Sequence, residues 1–569
     1  MAHPTILALS APENGDPAPA VAACRAGALG VFDAEFLRDE NRLFAGLERL
    51  AEFTTGPFAL KVDGADVSLA TRLTTRLPER LEWVIVAGGV SSLADWKAAL
   101  PARVKLAAEA VSLVEARDAL AAGVDGLILK GQESGGRVGS ETAFVLLQQW
   151  RQWSREHNAA ELPVWVQGGI GLRTAAACIV GGATGVVLDV QLRLARESQL
   201  PETVRTLLLA CDGSETQLLG GKLGSLHRVY TRLGHTATET LNLVEDRLAN
   251  SDDVHRVAEW RSNVAATIGV DPKKNLWLFG QDAALAKPLA NKFGTVGGII
   301  VAIEQSIREH LSLAQQLQPL APGAALAKKH GTTYPLLQGP MTRVSDTADF
   351  CVSVAAGGAL PFLALALLRG AECSKLLEET KSKIGDRPWG VGLLGFIPPE
   401  IRAEQLDAVL KCKPPYAIIA GGRPDQAKHL EAQGIVTYLH VPSPGLLKMF
   451  LKDGARKFIF EGRECGGHVG PRTSFVLWES MCDVIEEHLG PNGKGLDLNV
   501  VFAGGIHDDV SAAMVATLSA RLAARGVHIG GLMGTAYLFT QEAVAGGAIV
   551  PRFQQEALGC DQTVLLETG

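Results

Sequence analysis

One stretch occurs twice in this chain, and the duplication limits the fold more than any other feature. The first copy covers residues 127–150 and the second covers residues 458–481. Each copy reads as a short apolar strand, a glycine-rich loop and a helical pattern, which is typical of the rim of an α/β enzyme. A Gly-Gly-Ile element follows each copy and ends at Ile170 and Ile506. Two copies in the same order, at similar separation, indicate an internal duplication on the scale of a domain.

We call residues 131–139 the first glycine loop and residues 462–470 the second glycine loop. They match at Gly131/Gly462, Glu133/Glu464, Gly135/Gly466, Gly136/Gly467 and Gly139/Gly470. Glycines let the backbone approach a ligand closely and adopt φ values that other residues avoid. The second loop also carries a titratable imidazole, that of His468, whereas the first has Arg137 at that position. A lone histidine in such a loop is just as often structural, so the loop alone leaves catalysis open.

Short apolar runs alternate with helical patterns in both halves of the chain. In the first half we predict strands at residues 6–11, 29–32, 58–62, 83–87, 104–108, 126–129, 163–167 and 185–188. In the second half we predict strands at residues 335–338, 361–365, 390–394, 417–420, 436–440, 458–460, 500–503 and 530–533. The predicted fold class is therefore α/β, with two tandem TIM (β/α)8 barrels joined by a mainly helical segment. An open doubly wound sheet is the alternative for the first half.

The change of rhythm along the chain predicts three parts. Residues 1–195 form a degenerate barrel, residues 196–328 a helical linker or insert domain, and residues 329–569 a second barrel. Residues 553–569 are interpreted as a tail packed on that barrel. The chain stops without a long polar terminal stretch, which is compatible with its being part of a longer polypeptide.

Composition excludes several classes of protein. Apolar residues make up 47% of the 569 residues and charged residues 20%, so the chain can bury large cores. A net charge of −7 without a basic stripe predicts no nucleic-acid partner. The nine cysteines are scattered singly, which favours reduced thiols over disulfides, and we predict no metal site. The start has no signal-peptide pattern and apolar runs are too short to span a membrane, so we expect a cytoplasmic protein with no membrane partner.

The ends of the last two strands in the second half resemble a phosphate site. Gly504 and Gly505 follow strand seven, and Gly534 and Thr535 follow strand eight. In barrels this region commonly binds a phosphate through backbone N–H groups and a helix N-terminus. The Thr535 hydroxyl can donate a further hydrogen bond. Together with the second glycine loop, these motifs predict a ligand that carries a phosphate.

These motifs together resemble the FMN signature of the nitronate monooxygenase (2-nitropropane dioxygenase) family. The motifs that carry the resemblance are Gln338-Gly339-Pro340-Met341, Glu464-Cys465-Gly466-Gly467-His468-Val469-Gly470, Ala503-Gly504-Gly505-Ile506 and Gly534-Thr535. The family includes FMN-dependent enoyl-acyl carrier protein reductases and the enoyl reductases of polyunsaturated fatty acid and polyketide synthases. Tracts at residues 389–396, 420–425 and 438–444 look like the branch within type I polyketide synthases. The resemblance spans most of residues 333–539, and the first half shares only its glycine motif and Gly-Gly-Ile.

The resemblance implies an FMN site in the second barrel. The implied cofactor-binding residues are Gln338, Gly339, Pro340, Met341, Glu464, Gly466, Gly467, Gly504, Gly505, Ile506, Gly534 and Thr535. The turn at residues 338–341 would lie along the flavin ring, and the glycines beside Thr535 would hold the phosphate. His468 would be the proton donor or base. Strand three departs from the family, because Gly392 lies in a stretch where an Asn that touches the flavin is frequent.

The chemistry implied is reduction of an enoyl thioester, with NADPH or NADH as the reductant. A flavin can deliver hydride to the β-carbon, and a nearby imidazole suits protonation of the α-carbon. Expected partners are a substrate bound to acyl carrier protein or CoA, further synthase domains carboxyl-terminal to this chain, and a second copy in a homodimer. The alternatives are a nitronate monooxygenase, in which His468 deprotonates a nitroalkane, and a non-catalytic scaffold that docks acyl carrier protein. Cys465 is more readily interpreted as a small packed thiol than as a reactive one.

The first barrel is predicted to bind no FMN. Asp189 falls where the second barrel has Gly534, and Val190 falls where it has Thr535. The first difference sets a carboxylate against a phosphate, and the second removes a hydroxyl donor. Arg137 in place of a histidine removes the acid that titrates near neutral pH.

Overall fold

The computed structural model describes residues 5–74, 76–159, 161–269, 271–366, 368–560 and 563–564. The chain divides into two compact units, Met1–Leu311 and Ser312–Gly569, which we call the first and second units. The three-part division at residues 195 and 328 stays a prediction. Within the described residues, no helix combines the length and apolar character needed to cross a membrane.

The first unit contains a closed barrel of eight parallel strands. The first nine strands of this unit are β1 (Ile6–Leu9), β2 (Leu29–Asp33), β3 (Phe58–Asp63), β4 (Leu81–Ala87), β5 (Lys105–Ala110), β6 (Gly126–Lys130), β7 (Gly136–Arg137), β8 (Val164–Gln167) and β9 (Gly185–Leu188), and all of them except β7 belong to the barrel. The barrel order is β1-β2-β3-β4-β5-β6-β8-β9, and β9 pairs back with β1. The predicted closed barrel is confirmed, and the open-sheet alternative is wrong.

Helices alternate with these strands and continue after the barrel. They are α1 (Ala18–Arg25), α2 (Glu40–Phe53), α3 (Val67–Thr74), α4 (Leu93–Ala99), α5 (Leu113–Ala121), α6 (Ala143–Glu156), α7 (Thr174–Val180), α8 (Glu202–Ala210), α9 (Thr236–Ala249), α10 (Arg256–Thr267), α11 (Ala286–Phe293) and α12 (Val296–Leu317). Local sequence sets several starts. The Asp39 side chain accepts hydrogen bonds from the first-turn amides of α2, and Ser112 does the same for α5.

The segment after the first barrel is not purely helical. It contains a hairpin of two short strands, β10 (Thr216–Leu219) and β11 (His227–Tyr230). Strand β11 also pairs with β7, in antiparallel register, so the first glycine loop is part of a three-stranded sheet. Four-residue strands are too short to show a clear alternating pattern, which is why the sequence predicted mainly helices here.

The second unit contains a nearly closed barrel of eight parallel strands. They are β12 (Leu336–Gln338), β13 (Phe362–Ala364), β14 (Gly390–Leu394), β15 (Tyr416–Ala420), β16 (Val436–Val441), β17 (Lys457–Glu461), β18 (Asn499–Ala503) and β19 (His528–Met533). The order is β12-β19-β18-β17-β16-β15-β14-β13. An isolated bridge between Leu337 and Leu360 brings the two ends together. All eight predicted strands are present, so the predicted tandem barrels are confirmed.

The helices of the second unit surround this barrel. They are α13 (Ala325–His330), α14 (Ala348–Ala356), α15 (Gly370–Ile384), α16 (Pro399–Cys412), α17 (Pro424–Glu431), α18 (Pro444–Lys452), α19 (Ser474–Leu489), α20 (Asp509–Ala524), α21 (Gln541–Ala545) and α22 (Pro551–Leu558). Gln554 of α22 donates hydrogen bonds to the carbonyls of Leu538 and Thr540. Of the tail expected at 553–569, residues 561–562 and 565–569 lie outside the described residues.

The interior of the second barrel changes character towards the carboxyl ends of its strands. Phe362, Tyr438 and Ile459, with other strand residues, form one apolar cluster that fills it. Side chains alternate along a strand, so the next interior positions after Tyr438 and Ile459 are His440 and Glu461. The opening at this end, which we call the mouth, therefore combines an apolar floor with ionisable groups. No group of three or more metal-binding side chains suited to a metal ion occurs within the described ranges.

Candidate functional site

The second glycine loop follows β17 and presents an open surface. Gly467 has φ +88°, and a Cβ built on it would meet nothing within 4 Å. A Cβ on Gly466 would meet only the Thr535 hydroxyl, at 3.8 Å. The loop therefore lies beside the end of β19, as the sequence predicted, and it leaves room for a ligand on its outer side.

Glu464 anchors this loop to the start of α19. Its carboxylate accepts hydrogen bonds from the Ser474 amide (2.8 Å) and the Ser474 hydroxyl (2.6 Å). A Cβ on Gly462 would lie 2.1 Å from that hydroxyl, so only glycine fits at the base of the loop. The contacts of Glu464 are those of a residue that holds the loop, and a direct role in binding cofactor stays a prediction.

His468 is exposed at the rim of the mouth. Its ring packs edge-on against Phe396, with the ring centroids 4.8 Å apart. Phe396 follows β14 and is itself 54% exposed. A titratable ring beside an exposed aromatic ring is suited to a ligand that has both a polar reactive end and an apolar body.

The ends of β18 and β19 form an anion cradle. Gly504 and Gly505 have φ +124° and +69°, and a Cβ on Gly504 would lie 2.6 Å from the Ser474 hydroxyl. Gly534 precedes a short 3-10 helix, Thr535–Phe539. Within the described residues, the amides of Gly505 and Thr535 donate to no protein acceptor. Free N–H groups beside a hydroxyl, at a helix start, are suited to a phosphate.

The turn after β12 reaches the same mouth. The buried Gln338 side chain accepts a hydrogen bond from the Phe362 amide and donates one to the Gly339 carbonyl, so it supports the closure of the barrel. Pro340 lies over strand three, where a Cβ on Gly392 would be 2.2 Å from the proline Cβ. The departure noted at Gly392 thus has a physical reason, because any larger residue there would collide with Pro340.

Sequence reasoning missed two groups in the mouth, His440 and Glu461. His440 Nδ1 lies 3.0 Å from a Glu461 carboxylate oxygen, and both side chains are nearly buried. Their strands had been identified correctly, so the alternation of side chains along β16 and β17 could have revealed them. Burial, followed by the charges of Glu461 and Glu464, raises the pKa of the Cys465 thiol well above its usual range, so this cysteine stays a thiol as expected.

The first glycine loop has the opposite environment, since residues 131–138 are all buried. The Arg137 guanidinium makes two hydrogen bonds to the Glu115 carboxylate, at 2.8 and 3.0 Å, and one to the Glu109 carbonyl. The Val138 amide donates to the Leu226 carbonyl. Arg137 thus acts as a structural ion-pair partner.

A covering segment, residues 278–282, lies directly on this loop. The Gln281 amide donates to the Glu133 carbonyl at 2.7 Å. A Cβ on Gly135 would lie 1.9 Å from the Leu278 carbonyl oxygen, which shows how closely the two backbones approach. The chain itself thus fills the place that corresponds to the open side of the second glycine loop.

Asp282 of the covering segment occupies the anion cradle of the first unit. Burial raises the pKa of its carboxyl group to about 7, the charge of Asp189 adds to the rise, and a hydrogen bond from the Gly169 amide opposes it. Gln191 Nε2 donates to the same carboxylate at 3.4 Å. Gly169 is the counterpart of Gly505, so a carboxylate takes the position that a phosphate oxygen would need.

Below this segment, buried charges fill the mouth of the first barrel. The Lys61 ammonium lies 3.4 Å from Asp33, 2.8 Å from Glu35 and 3.0 Å from Glu109. Burial alone would lower the pKa of Lys61, but the carboxylates, Asp33 first, outweigh it and raise that pKa well above its usual value. Burial raises the pKa of Asp33 to about 7, and Lys61 opposes that rise. These buried ion pairs give the mouth of the first barrel a charged interior.

Comparison with known proteins identifies the family. The sequence model for nitronate monooxygenase matches residues 4–265 and 401–567. The chain belongs to the nitronate monooxygenase family. It is therefore an oxidoreductase of a family of flavin enzymes. In the first unit the match covers residues 4–265. The prediction that the first half resembles the family only in its glycine motif and Gly-Gly-Ile was therefore wrong.

Two relatives carry the name (3aS,4S,5R,7aS)-5-hydroxy-7a-methyl-1-oxo-octahydro-1H-indene-4-carboxyl-CoA dehydrogenase. The one from Rhodococcus jostii is 28% identical over 235 residues, and the one from Mycobacterium tuberculosis is 29% identical over 248 residues. The alignments cover 40% and 41% of this chain, and they span 58% and 60% of the length of those relatives.

Similar solved structures include FabK from Thermotoga maritima, with 21% identity and a TM-score of 0.45 over 55% of this chain and 96% of that one. An enoyl reductase domain of MlnA from Bacillus amyloliquefaciens has 11% identity and a TM-score of 0.43, over 54% of this chain and 95% of that domain. A nitroalkane oxidase from Streptomyces ansochromogenes has 20% identity and a TM-score of 0.37, over 53% and 95% of the two chains.

The two units differ in how they fit the family's FMN. In the second unit, the amides of Gly505 and Thr535, the Thr535 hydroxyl and the uncovered glycines provide donors and space. In the first unit, the amide of Gly169 is already bound by Asp282. The chain's own residues thus fit FMN in the second unit and do not fit it in the first.

Proposed function

We propose that this protein is an FMN-dependent enoyl-thioester reductase whose active site is the mouth of the second barrel. Its cofactor would be FMN, its reductant NADPH or NADH, and its substrate an acyl chain on CoA or acyl carrier protein. The observation that carries the proposal is the joint exposure of His468 and two unpartnered amides, at Gly505 and Thr535, around one mouth.

Bound FMN would supply hydride transfer. The amides of Gly505 and Thr535 and the Thr535 hydroxyl would bind the phosphate, while Gly534 keeps side-chain charge away from it. The turn of Gly339, Pro340 and Met341 would support the ring, and Gly466 and Gly467 would leave room for substrate. Ile506, which is buried behind the cradle, would help to fix its backbone.

His468 would handle the proton. Its exposure at the rim lets the imidazole reach a substrate carbon and exchange protons with solvent. Protonation of the α-carbon next to a thioester carbonyl is a task for a group that titrates near neutral pH. Phe396 beside it would pack on the acyl chain.

The two relatives support a thioester substrate, since their name describes dehydrogenation of a carboxyl-CoA compound. Relatives whose name describes a CoA thioester support an acyl thioester as the substrate class for this chain. The synthase setting and an acyl carrier protein partner remain part of the proposal.

A nitronate monooxygenase is the second candidate, and the family match itself favours it. In that reaction His468 would remove a proton from a nitroalkane, and the flavin would be reoxidised by O2. The same open mouth serves both reactions.

A paired assay on the FMN-loaded chain separates them. We expect oxidation of NADPH or NADH that depends on crotonyl-CoA, and no O2 uptake with propyl-2-nitronate. O2 uptake with the nitronate alone would support the second candidate and reject the first. Purified chain that takes up no FMN would reject both. The His468→Ala variant is the matched control in the reductase arm, and in the oxygenase arm it should lose O2 uptake with 2-nitropropane, which needs a base, but not with the nitronate.

A further inference from the structure

The pair formed by His440 and Glu461 lies inside the mouth, whereas His468 lies on its rim. His440 is on β16 and Glu461 on the neighbouring β17. Each occupies the last interior position of its strand, directly above the apolar layer of Tyr438 and Ile459. A ligand that enters the mouth would therefore face both side chains.

Both ring nitrogens of His440 are buried and, within the described part of the chain, neither makes a hydrogen bond of good geometry. The Nδ1 side faces the Glu461 carboxylate at 3.0 Å. His440 Nε2 is buried and, within the described part of the chain, makes no hydrogen bond. Buried polar atoms are normally satisfied, so an unsatisfied nitrogen beside a binding mouth points to a ligand atom as its partner.

The duplicated unit provides a comparison at the same two positions. Aligning β5 with β16 and β6 with β17 sets Glu109 against His440 and Lys130 against Glu461. Glu109 and Lys130 are 3.3 Å apart, and both are almost completely buried. Both units thus place two ionisable side chains at these positions, but only the second unit has an imidazole there, which can both donate and accept a hydrogen bond.

We propose that His440, oriented by Glu461, is a second proton-handling group of the flavin site, which forms a hydrogen bond through Nε2 to the bound flavin ring. The proposal rests on the proposed FMN site in the second unit. Nε2 would pass its proton to the flavin atom to which it is hydrogen-bonded, which would leave a neutral imidazole beside the Glu461 carboxylate, and a proton from solvent would then return to Nε2. Glu461 acts only through His440 and is a positioning residue.

The other polar and ionisable groups near His440 are less suited to proton transfer. Glu461 is the ionisable group in direct contact with it. Glu464 is engaged by Ser474, and Cys465 stays a thiol because its pKa is raised. The Tyr438 hydroxyl is occupied by His330 and Asn499 in the layer below.

The test uses the FMN-loaded full chain and the variants His440→Gln and Glu461→Gln, with His429→Gln on the exposed face of α17 as the control. FMN content is measured first. The absorption band of the bound flavin is then followed from pH 5 to 9, and kcat/KM for crotonyl-CoA is measured over the same range.

We expect the wild-type band to shift with one ionisation that His440→Gln lacks. We also expect kcat/KM to fall about 10- to 100-fold in that variant, at the lower end of what an acid–base group contributes.

Glu461→Gln decides the outcome if His440→Gln fails to fold. Removing the carboxylate takes away a charge that favours the imidazolium, so the same ionisation should move to lower pH. A flavin band and kcat/KM profile identical to those of wild type in either folded variant would overturn the role of His440. An unchanged flavin band and kcat/KM profile in the variants would still leave the proposed function intact, provided that the wild-type chain binds FMN and reduces crotonyl-CoA. Absence of FMN from the wild-type chain would instead reject the proposed function.

Discussion

The two glycine loops have almost the same backbone and opposite surroundings. Gly136 and Gly467 have φ +81° and +88°, and Gly168 and Gly504 have φ +122° and +124°. The residues before the two 3-10 helices also match, with φ −132° at Asp189 and −122° at Gly534. Yet residues 131–138 of the first loop are buried beneath residues 278–282, whereas residues 466–468 of the second loop are exposed. Duplication preserved the shape of a ligand cradle, while the side chains and the covering segment determine whether a ligand can enter.

Charge shows the same contrast. In the first unit a carboxylate binds the Gly169 amide, and a layer of ion pairs fills the mouth. In the second unit the corresponding amide of Gly505 has no acceptor within the described residues. In the first unit an internal carboxyl group thus takes the place that an external anion would need.

The largest effect is expected when the second unit receives the first unit's residue, in Gly534→Asp. Gly534 has φ −122°, and a Cβ there would meet only the Met341 sulfur at 3.7 Å, so the side chain fits. Its charge would repel the phosphate by roughly 4 kcal/mol per charge pair at an effective dielectric constant of ~20 and ~4 Å. We expect FMN binding to be lost, as measured by flavin content after purification. Gly534→Ala is the matched control and should keep FMN, and full occupancy in Gly534→Asp would place the phosphate elsewhere.

The next effect concerns the histidine that the first unit lacks. His468→Ala should keep FMN but lose about 10²- to 10⁴-fold in kcat, which is the usual contribution of an acid–base group. His429→Ala, at an exposed position on α17, should leave kcat unchanged. Wild-type kcat in the His468 variant on the true substrate would remove this residue from the mechanism.

A smaller difference is expected in flavin stoichiometry. Because Asp282 occupies the first cradle, the intact chain should release close to one FMN per chain when it is denatured. Asp282→Asn should not raise that number, since the Gln281–Glu133 hydrogen bond still holds the covering segment. Close to two FMN per chain, or flavin density against Gly169, would show that the first barrel is a functional site.

The smallest effect is on stability, through the buried acid itself. The pKa of Asp282 is raised to about 7, so the native chain holds a proton that the unfolded chain releases near pH 4. Stability should therefore fall as pH rises from about 4 to about 7, by at most about 4 kcal/mol for this group. Asp282→Asn should flatten part of this slope in urea unfolding, whereas the exposed Asp252→Asn should not. Asp33 contributes to the slope in the same direction, because its pKa is also raised to about 7. An unchanged slope in Asp282→Asn would show that this carboxyl group is not the source.

The sequence predicted the barrels because buried parallel strands leave a strong apolar signal, and all sixteen predicted barrel strands occur in the structure. It also brought together Gly466, Gly505 and Thr535, because motifs at carboxyl ends of barrel strands share one face. It missed the β10–β11 hairpin, whose strands are too short for a pattern, and it missed His440 and Glu461, which lack a motif.

The covering segment could not have been predicted in the same way. Its contact with the first glycine loop joins residues far apart in the chain, such as Gln281 and Glu133, and no local pattern encodes that pairing. The prediction that the first barrel binds no FMN depended on Asp189, Val190 and Arg137. The structure adds Asp282 as a more direct physical reason.

The pairing of β7 with β11 also has a consequence for local motion. In the first unit the loop amide of Val138 is tied to the Leu226 carbonyl, so its proton can exchange with solvent only when the small sheet opens. Within the part of the chain that the structure describes, no strand pairs with the second glycine loop, so opening of that loop would break no such ladder. A cofactor that binds only there would stabilise the second unit by mass action and leave the first unchanged. The two halves of one duplicated chain would then melt at separate temperatures, and the gap between them would widen with the concentration of free FMN.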